Sequence, residues 1–322
     1  MQALAERLNE HADRLNCAAS FDVLGDVLSG LRARGSVFFR SQLAAPWGIS
    51  VAKSTTPLLH LVRSGDCHVG RGGNVGPLKL QADEVVAFPR GGAHWIADRP
   101  GRTLLSSEAV VEACVLGAPA FQHGERTHEL ICANVQFDGD VQHPLLDSLP
   151  TMLHVGAGDQ KCSSMRMLAS LIEEELDGTG RGANVMVDRL VELMFHQLLE
   201  EHLRRAPEVS GFFHALREPR LARALGLMHR HLAAPWSLES LAQRAGASRA
   251  TLARHFKQVL GMAPMDYLTL WRLERSRELL ENSRFSLDRV AEEVGYGSSQ
   301  SFARAFRRRY GHPPGELRRT TS

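Results

Sequence analysis

The sequence predicts an α+β protein of more than one domain: an N-terminal β-barrel, a helical middle and an all-α C-terminal part with two helix-turn-helix units. Three observations carry this prediction. The apolar period changes from two to about 3.6 near residue 155, the last third contains an internal repeat, and the charge is unevenly divided along the chain. The boundaries that follow are 1–155, 156–217 and 218–322.

The 322 residues are enough for two hydrophobic cores. With 43% hydrophobic and 23% charged residues, the composition is that of an ordinary globular chain and excludes both disorder and a membrane span. The start, "MQALAERLNEHADRLN", is charged throughout and lacks the apolar core of a signal peptide, so a cytoplasmic protein is expected. Cys17, Cys67, Cys114, Cys132 and Cys162 are scattered with no Cys-x-x-Cys, which argues against a disulfide framework and a cysteine-rich zinc module. The net charge of +2 hides a division. Residues 220–322 hold 18 of the 38 Lys/Arg and 9 of the 36 Asp/Glu, a surplus of +9 against −7 for the rest. A basic segment of this kind suits a polyanionic partner when geometry supports it.

In chain order, "FDVLGDVLSGLRARG" places Phe21, Leu24, Leu28 and Leu31 on one side of a short helix. From Ser36 to Phe137 short β-rich runs follow: "SVFF", "GISVA", "LLHLV", "DCHV", "LKL", "EVVAF", "HWIAD" and "LICANVQF". Gly, Pro and Asn turns separate them, the pattern of a small barrel or sandwich. "SSMRMLASLIEEELDG" and "ANVMVDRLVELMFHQLLEEHLR" then read as two amphipathic helices on either side of "DGTGRG". A long apolar face of this kind packs on a neighbouring helix or on a second subunit.

The repeat lies in the last third. Ser237, Ala242 and Gly246 recur 49 residues on as Ser286, Ala291 and Gly295. Past the turn the offset is 50, pairing Ser248 with Ser298, Arg254 with Arg304, Phe256 with Phe306, Gly261 with Gly311 and Pro264 with Pro314. Each copy reads as a helix-turn-helix. Ser237 caps a first helix, Gly246 ends it, and Ser248 caps a second whose Leu252, Phe256, Val259 and Leu260 face inward. Arg249, Ala250, Ala253, Arg254 and Lys257 face outward. In the second copy Phe302, Phe306 and Tyr310 face inward, while Ser299, Gln300, Ser301, Arg304, Arg307 and Arg308 form the exposed face with its start. Arginines and short polar side chains on such a face suit major-groove reading, where Arg pairs with guanine and Gln with adenine. "MDYLTLWRLERSRELLEN" can form one connecting helix of about 27 Å, against the roughly 34 Å between successive major grooves.

The stretches "WSLESLAQRAGASRATLARHFKQVLGMAPMDYLTLWRLERSRELL" and "VAEEVGYGSSQSFARAFRRRYGHPPGELRR" resemble the DNA-binding domain of the AraC/XylS family of bacterial transcription regulators. "APWGISV", "LLHLVRSGDCHV", "FPRGGAHWIAD" and "HPLLDSLPTMLHV" resemble the cupin-like sensor domain found in one branch of that family. The resemblance implies a DNA-binding activator that forms a homodimer, occupies a promoter or operator in double-stranded DNA and contacts RNA polymerase, with a small-molecule effector in the barrel. It also implies that Ala250, Ala253 and Arg254, and Gln300, Ser301 and Arg304, approach base edges. Ala250 and Ala253 offer only methyl contacts, so the first reading helix is expected to specify fewer bases than the second.

Metal-binding cupins resemble "DEVVAFPRGGAHWIAD" in their Pro-x-Gly-x-x-His stretch, with Asp83 here where Gly is usual. Their upstream His-x-His is missing, since no histidine lies between Gly35 and Leu59. The expectation is therefore no metal, no cofactor and no catalytic residue. His60, His94, Trp95 and Cys132 are the candidate effector contacts. Three readings of His94 stay open: a zinc-like ligand with His60 and Cys132, a polar contact to the effector, or a structural histidine. Cys67 and His68 point to opposite faces of a strand and do not form a nucleophile and base. His123 and His128 are expected in a solvated loop, and "GRGGNVG" at 70–76 at a hairpin tip. The alternatives to a ligand-responsive regulator are a cupin-type metal-dependent enzyme, a dioxygenase or isomerase with an accessory DNA-binding domain, and a cysteine-based redox regulator.

Overall fold

A computed structural model of the chain describes residues 22–30, 33–72, 76–116, 120–121, 126–137, 143–156, 158–159, 161–178, 183–205 and 210–317. Cys17, Phe21, Leu31, His123, Gly73, Asn74, Val75 and part of "DGTGRG" lie outside the described residues. By their contacts the described residues form two units.

The sheet unit spans residues 32–142 and 146–209. Its strands are β1 (Arg34–Ala44), β2 (Gly48–Val51), β3 (Leu58–Ser64), β4 (Cys67–Gly70), β5 (Leu78–Leu80), β6 (Val85–Phe88), β7 (His94–Ala97), β8 (Leu105–Ser106), β9 (Arg126–Gln136) and β10 (Leu153–Val155). They form two five-stranded sheets, ordered β1-β9-β3-β6-β10 and β5-β4-β7-β2-β8. No strand pairing among the described residues closes one sheet onto the other, so the expected barrel is an open one. Alternation sets the inward faces: Phe39, Leu43, Ile49, Val69, Phe88, Ile96, Leu130 and Cys132 meet in one core. His128, expected in a loop, begins the regular part of β9, its ring 5.7 Å from that of Trp47.

Helix α2 (Ser107–Val115) interrupts the β-rich region, where only strands were expected. Ser106 caps it by accepting from the Ala109 amide at 3.2 Å, and Glu108 sits in its first turn. After α3 (Pro144–Ser148), α4 (Cys162–Asp177) and α5 (Ala183–Arg205) match the two expected helices within a residue at each end. They pack on each other, and α5 crosses β1, β9 and β10. Arg40 of β1 meets Asp177 of α4 at 2.6 Å, and Arg63 of β3 meets Glu173 at 2.5 Å. Met167, Met186 and Leu193 remain more than half exposed on these helices.

The helical unit comprises residues 1–31, 143–145 and 210–322. Its helices are α1 (Val23–Gly30), α6 (Gly211–Arg217), α7 (Pro219–Arg230), α8 (Leu238–Ala245), α9 (Arg249–Leu260), α10 (Pro264–Asn282), α11 (Leu287–Glu293) and α12 (Ser299–Tyr310). The N-terminal helix, expected with the 1–155 segment, makes its contacts in the helical unit. Val23, Leu24, Val27 and Leu28 are buried because α1 lays its apolar stripe on α7 and α10. His143 and Leu145 are likewise buried in this unit, although Leu146 onward belongs to the sheets.

The two helix-turn-helix copies repeat their local chemistry. Ser237, Ser248, Ser286 and Ser298 each accept a hydrogen bond from the amide three residues ahead, so all four helices start the same way. Gly246 and Gly295, at φ +73° and +80°, supply the left-handed residue at each turn. Leu241, Ala242, Leu252 and Phe256 form the first core; Val290, Ala291, Phe302 and Phe306 form the second. The connector α10 runs 19 residues, about 28 Å at 1.5 Å per residue.

Candidate functional site

The outer faces of α9 and α12 are both basic. On α9, Arg249, Ala250, Arg254 and Lys257 are exposed and Ala253 is half-buried. On α12, Gln300, Arg304, Arg307 and Arg308 are exposed while Phe302 and Phe306 are fully buried. Among the described residues none of Arg249, Arg254, Lys257, Arg304 or Arg308 has an acidic partner within 4.0 Å, whereas Arg289 of α11 is held by Glu292 and Glu293. The unpaired cations are thus free to neutralise phosphate or pair with a base edge. Ser301 is different: its hydroxyl donates to the Ser298 carbonyl at 2.8 Å and its amide to the Ser298 hydroxyl at 3.2 Å. It is half-buried and works chiefly as part of the cap; Ser299, also half-buried, is the first residue of α12.

The second candidate site is a cavity of about 350 Å³ within the sheet unit. Phe39, Ile49, Ile96 and Val110 give it apolar walls; Lys53, Asn134, Gln136 and Glu108 add polar groups. His60 and Cys132 also line it. The sheet register sets this pair face to face, His60 of β3 opposite Cys132 of β9. The His60 Nδ1 lies 3.0 Å from Cys132 Sγ, and its Nε2 lies 2.7 Å from Nε2 of His94. His94 Nδ1 is 2.9 Å from the carbonyl of Gly92. A carbonyl can only accept, so His94 Nδ1 carries its proton and Nε2 accepts. It follows that His60 donates from Nε2, leaving Nδ1 to accept from the Cys132 thiol. Both rings are neutral in this chain. Burial holds His60 well below the usual imidazole range, with His94 adding to the effect, and burial brings His94 down to about 4. Burial also pushes the Cys132 thiol far up, and Cys67 up to about 12.

His60, His94 and Cys132 do not converge on one point. His60 sends its two nitrogens in opposite directions, so an ion touching His94 and His60 would have Cys132 behind the imidazole ring. Among the described residues no group of three His, Cys, Asp or Glu side chains is arranged to hold a metal. The Pro-x-Gly turn sets His94 in place. Gly91 has φ +62° and Gly92 +95°, and a Cβ on Gly91 would fall 2.2 Å from the Ser54 carbonyl oxygen. Asp83, standing where the cupin pattern has glycine, also adopts a left-handed φ of +67°, its carboxylate held by Arg63 and Arg166.

Residues 22–204 match a family profile described as Cupin, and residues 241–320 one described as Helix-turn-helix domain. The chain is 30% identical over 299 residues to a putative AraC-like transcription regulator of Streptomyces lividans, covering 92% of this chain and 98% of that one. The chain belongs to the AraC/XylS family of transcription regulators. A second relative, the HTH-type transcriptional regulator AlkR of Acinetobacter baylyi, is 22% identical over 307 residues, 92% of this chain and 99% of its own. The AraC-type DNA-binding domain of a Chromobacterium violaceum regulator is 32% identical over 34% of this chain and 96% of its own, with a TM-score of 0.32.

In this AraC-type regulator the DNA-binding function belongs to the helical unit and the cupin domain to the sheets. The relatives are named transcriptional regulators. Of the four candidate effector contacts, His60 and Cys132 line the cavity; His94 reaches it only through His60, its ring stacked on Phe88 at 3.7 Å. Trp95 points to the other face of β7, its indole filling the space beside Gly70. Sequence reasoning missed Lys53, Asn134, Gln136 and the residues of α2. The period-two run Leu130, Cys132, Asn134, Gln136 on β9 was a usable signal for two of these. Among the described residues no helix is long and apolar enough to cross a membrane.

Proposed function

We propose that a small-molecule effector binds in the 350 Å³ cavity of the cupin domain and alters how the two reading helices engage an operator. The observation that carries this reading is the cavity itself, apolar in its walls and supplied with the amide of Asn134 and the ammonium of Lys53 to orient a ligand. His60 and Cys132 are the contacts assigned to the effector, with His94 fixing the tautomer of His60 from behind. On DNA, Arg254, Gln300 and Arg304 read base edges, Arg249, Lys257 and Arg308 neutralise phosphates, Ala250 and Ala253 make methyl contacts, Ser301 holds the start of α12, and Ser299 lies beside it on the DNA-facing surface. The exposed Met167, Leu171, Met186 and Leu193 support a homodimer through α4 and α5. Activation through RNA polymerase, in the cytoplasm, is the output assigned.

The enzyme reading is disfavoured because His60 directs its nitrogens to two different partners. The redox reading is disfavoured because burial keeps Cys67 and Cys132 as thiols. The domain division 1–155, 156–217 and 218–322 is retained as the functional one, with α1 reassigned to the DNA-binding part. The test is a thermal-shift screen of metabolites on the full chain, repeated on Ile49→Trp. A ligand present at 100 times its Kd raises stability by about 2.7 kcal/mol. Such a shift is expected to vanish when the cavity is filled, and a shift that survives Ile49→Trp refutes the site.

A further inference from the structure

Two reading helices add their affinities only if their separation and twist match those of the grooves, because a loose pair loses the advantage of intramolecular binding. One side chain, placed where the two helix-turn-helix copies meet, stands out. Arg272, in the middle of α10, donates from Nε to the Leu232 carbonyl at 3.0 Å and from Nη2 to the Ala234 carbonyl at 2.7 Å. Both carbonyls belong to the loop that enters the first copy. That loop is bolted to α8 in turn: Trp236 Nε1 donates to the His231 carbonyl at 2.9 Å, and the guanidinium of Arg244 lies 5.4 Å over the Trp236 ring.

The other side of Arg272 faces the turn of the second copy. A Cβ built on Gly295 would lie 2.6 Å from Arg272 Nη2, 2.8 Å from Ala233 Cα and 2.9 Å from the Ala233 carbonyl oxygen. The second turn therefore touches the entry loop of the first copy backbone to backbone, with the guanidinium packed beside that contact. The repeat supplies an internal control. Gly246 stands 49 residues before Gly295 and Arg223 stands 49 before Arg272, yet a Cβ at Gly246 would meet only Arg223 Nη1, at 3.8 Å. The same pair of residues is relaxed in the first copy and tightly engaged in the second. Duplication alone would make them alike, so the engagement belongs to the junction.

We propose that Arg272 and Gly295 are positioning residues that set the spacing of the two reading helices and thereby the separation of the base pairs the regulator accepts. Neither lies on the outer face of α9 or α12. Arg272 is half-buried between loop and turn, and burial lowers the basicity of its guanidinium, in keeping with its capping of carbonyls. The inference rests on the reading that α9 and α12 both enter the major groove.

The experiment uses the purified full chain. An operator is selected from random duplexes, both contact regions are mapped by footprinting, and affinity is measured on duplexes with one base pair inserted or removed between them. One base pair rotates the second site by about 35°. Wild type is expected to lose about tenfold or more on each altered spacing. Arg272→Met and Gly295→Ala are expected to bind the parent duplex about tenfold more weakly, with the spacing penalty reduced below threefold. Arg272→Lys, which keeps the charge but lacks the planar fork that reaches the two carbonyls from separate nitrogens, should resemble Arg272→Met. Circular dichroism checks the folding of each variant, and Arg272→Met carries the test if Gly295→Ala unfolds. Folded variants that keep the full spacing penalty overturn the proposal. A wild type with no spacing penalty overturns instead the reading that both helices engage DNA, and this inference with it.

Discussion

Removing one hydroxyl from the core of the first helix-turn-helix should open it, and the structure lets the size of the effect be worked out. Tyr267 is fully buried, its Oη 3.1 Å from Nε2 of His143 and 2.8 Å from Nε2 of His229. The Leu145 amide donates to His143 Nδ1 at 3.1 Å, so His143 must donate from Nε2 to the tyrosine oxygen. The hydroxyl proton then goes to His229 Nε2, which leaves His229 Nδ1–H facing Asp26 at 3.8 Å with no hydrogen-bond partner. Tyr267→Phe keeps the ring, with its edge contact to Phe256 at 5.6 Å, and removes only the oxygen. Two buried nitrogens lose their partners, each at about 1–3 kcal/mol, so the expected loss is about 2–6 kcal/mol. Native-state hydrogen exchange on peptides from α7 and α10 reads this directly. At least about 30-fold faster exchange is expected there, with peptides of α12 unchanged. A change of less than threefold in α7 and α10 would refute the assignment of the hydroxyl to both histidines.

Acid should destabilise both units for a related reason. Burial lowers His229 to about 3 and His94 to about 4, so below about pH 6.5 the unfolded chain takes up protons that the folded one refuses. Stability is intact above that range and falls by about 2 kcal/mol per histidine by pH 5, a slope that urea melts should show flattened in His229→Gln. On DNA, Arg304→Ala should cost about 1–3 kcal/mol on the selected operator and little on random duplex. Lys257→Ala should weaken both alike and reduce the salt slope by about one; equal losses on both duplexes for both variants would sink that division. Gly91→Ala should destabilise the sheet unit by at least about 2 kcal/mol, since the new Cβ meets the Ser54 carbonyl and φ is positive; an unchanged melting curve would show that the turn can relax.

The DNA-binding half was legible in the sequence almost residue by residue, because its signals are local. Serine caps, glycine stops and a 3.6-residue apolar stripe act within one or two turns, and the repeat at 49 and 50 residues showed that two copies carry the same pattern. The strands were legible for the same reason, through alternation and turn residues. Helix α2 was missed although Ser106 and Glu108 offer a cap and an acidic first turn, because its short apolar run looks the same at either period.

What the tertiary structure alone decided are the relations between segments far apart in the chain. Cys132 faces His60 because β3 pairs with β9 in that register, 72 residues apart, and only the direction of each ring nitrogen shows a linear hydrogen-bonded chain rather than a ligand set. The N-terminal helix and His143 fall in the DNA-binding unit because their apolar faces find α7, α10 and Tyr267 there, although their sequence neighbours belong to the sheets. Arg272 looks in sequence like one more cation on a helix. Its two carbonyl partners lie 38 and 40 residues away and the turn it supports lies beyond its own helix, distances over which composition and periodicity carry no information. Propensity and patterning act through neighbours in the chain, whereas registry, burial of polar groups and close backbone approach act through neighbours in space.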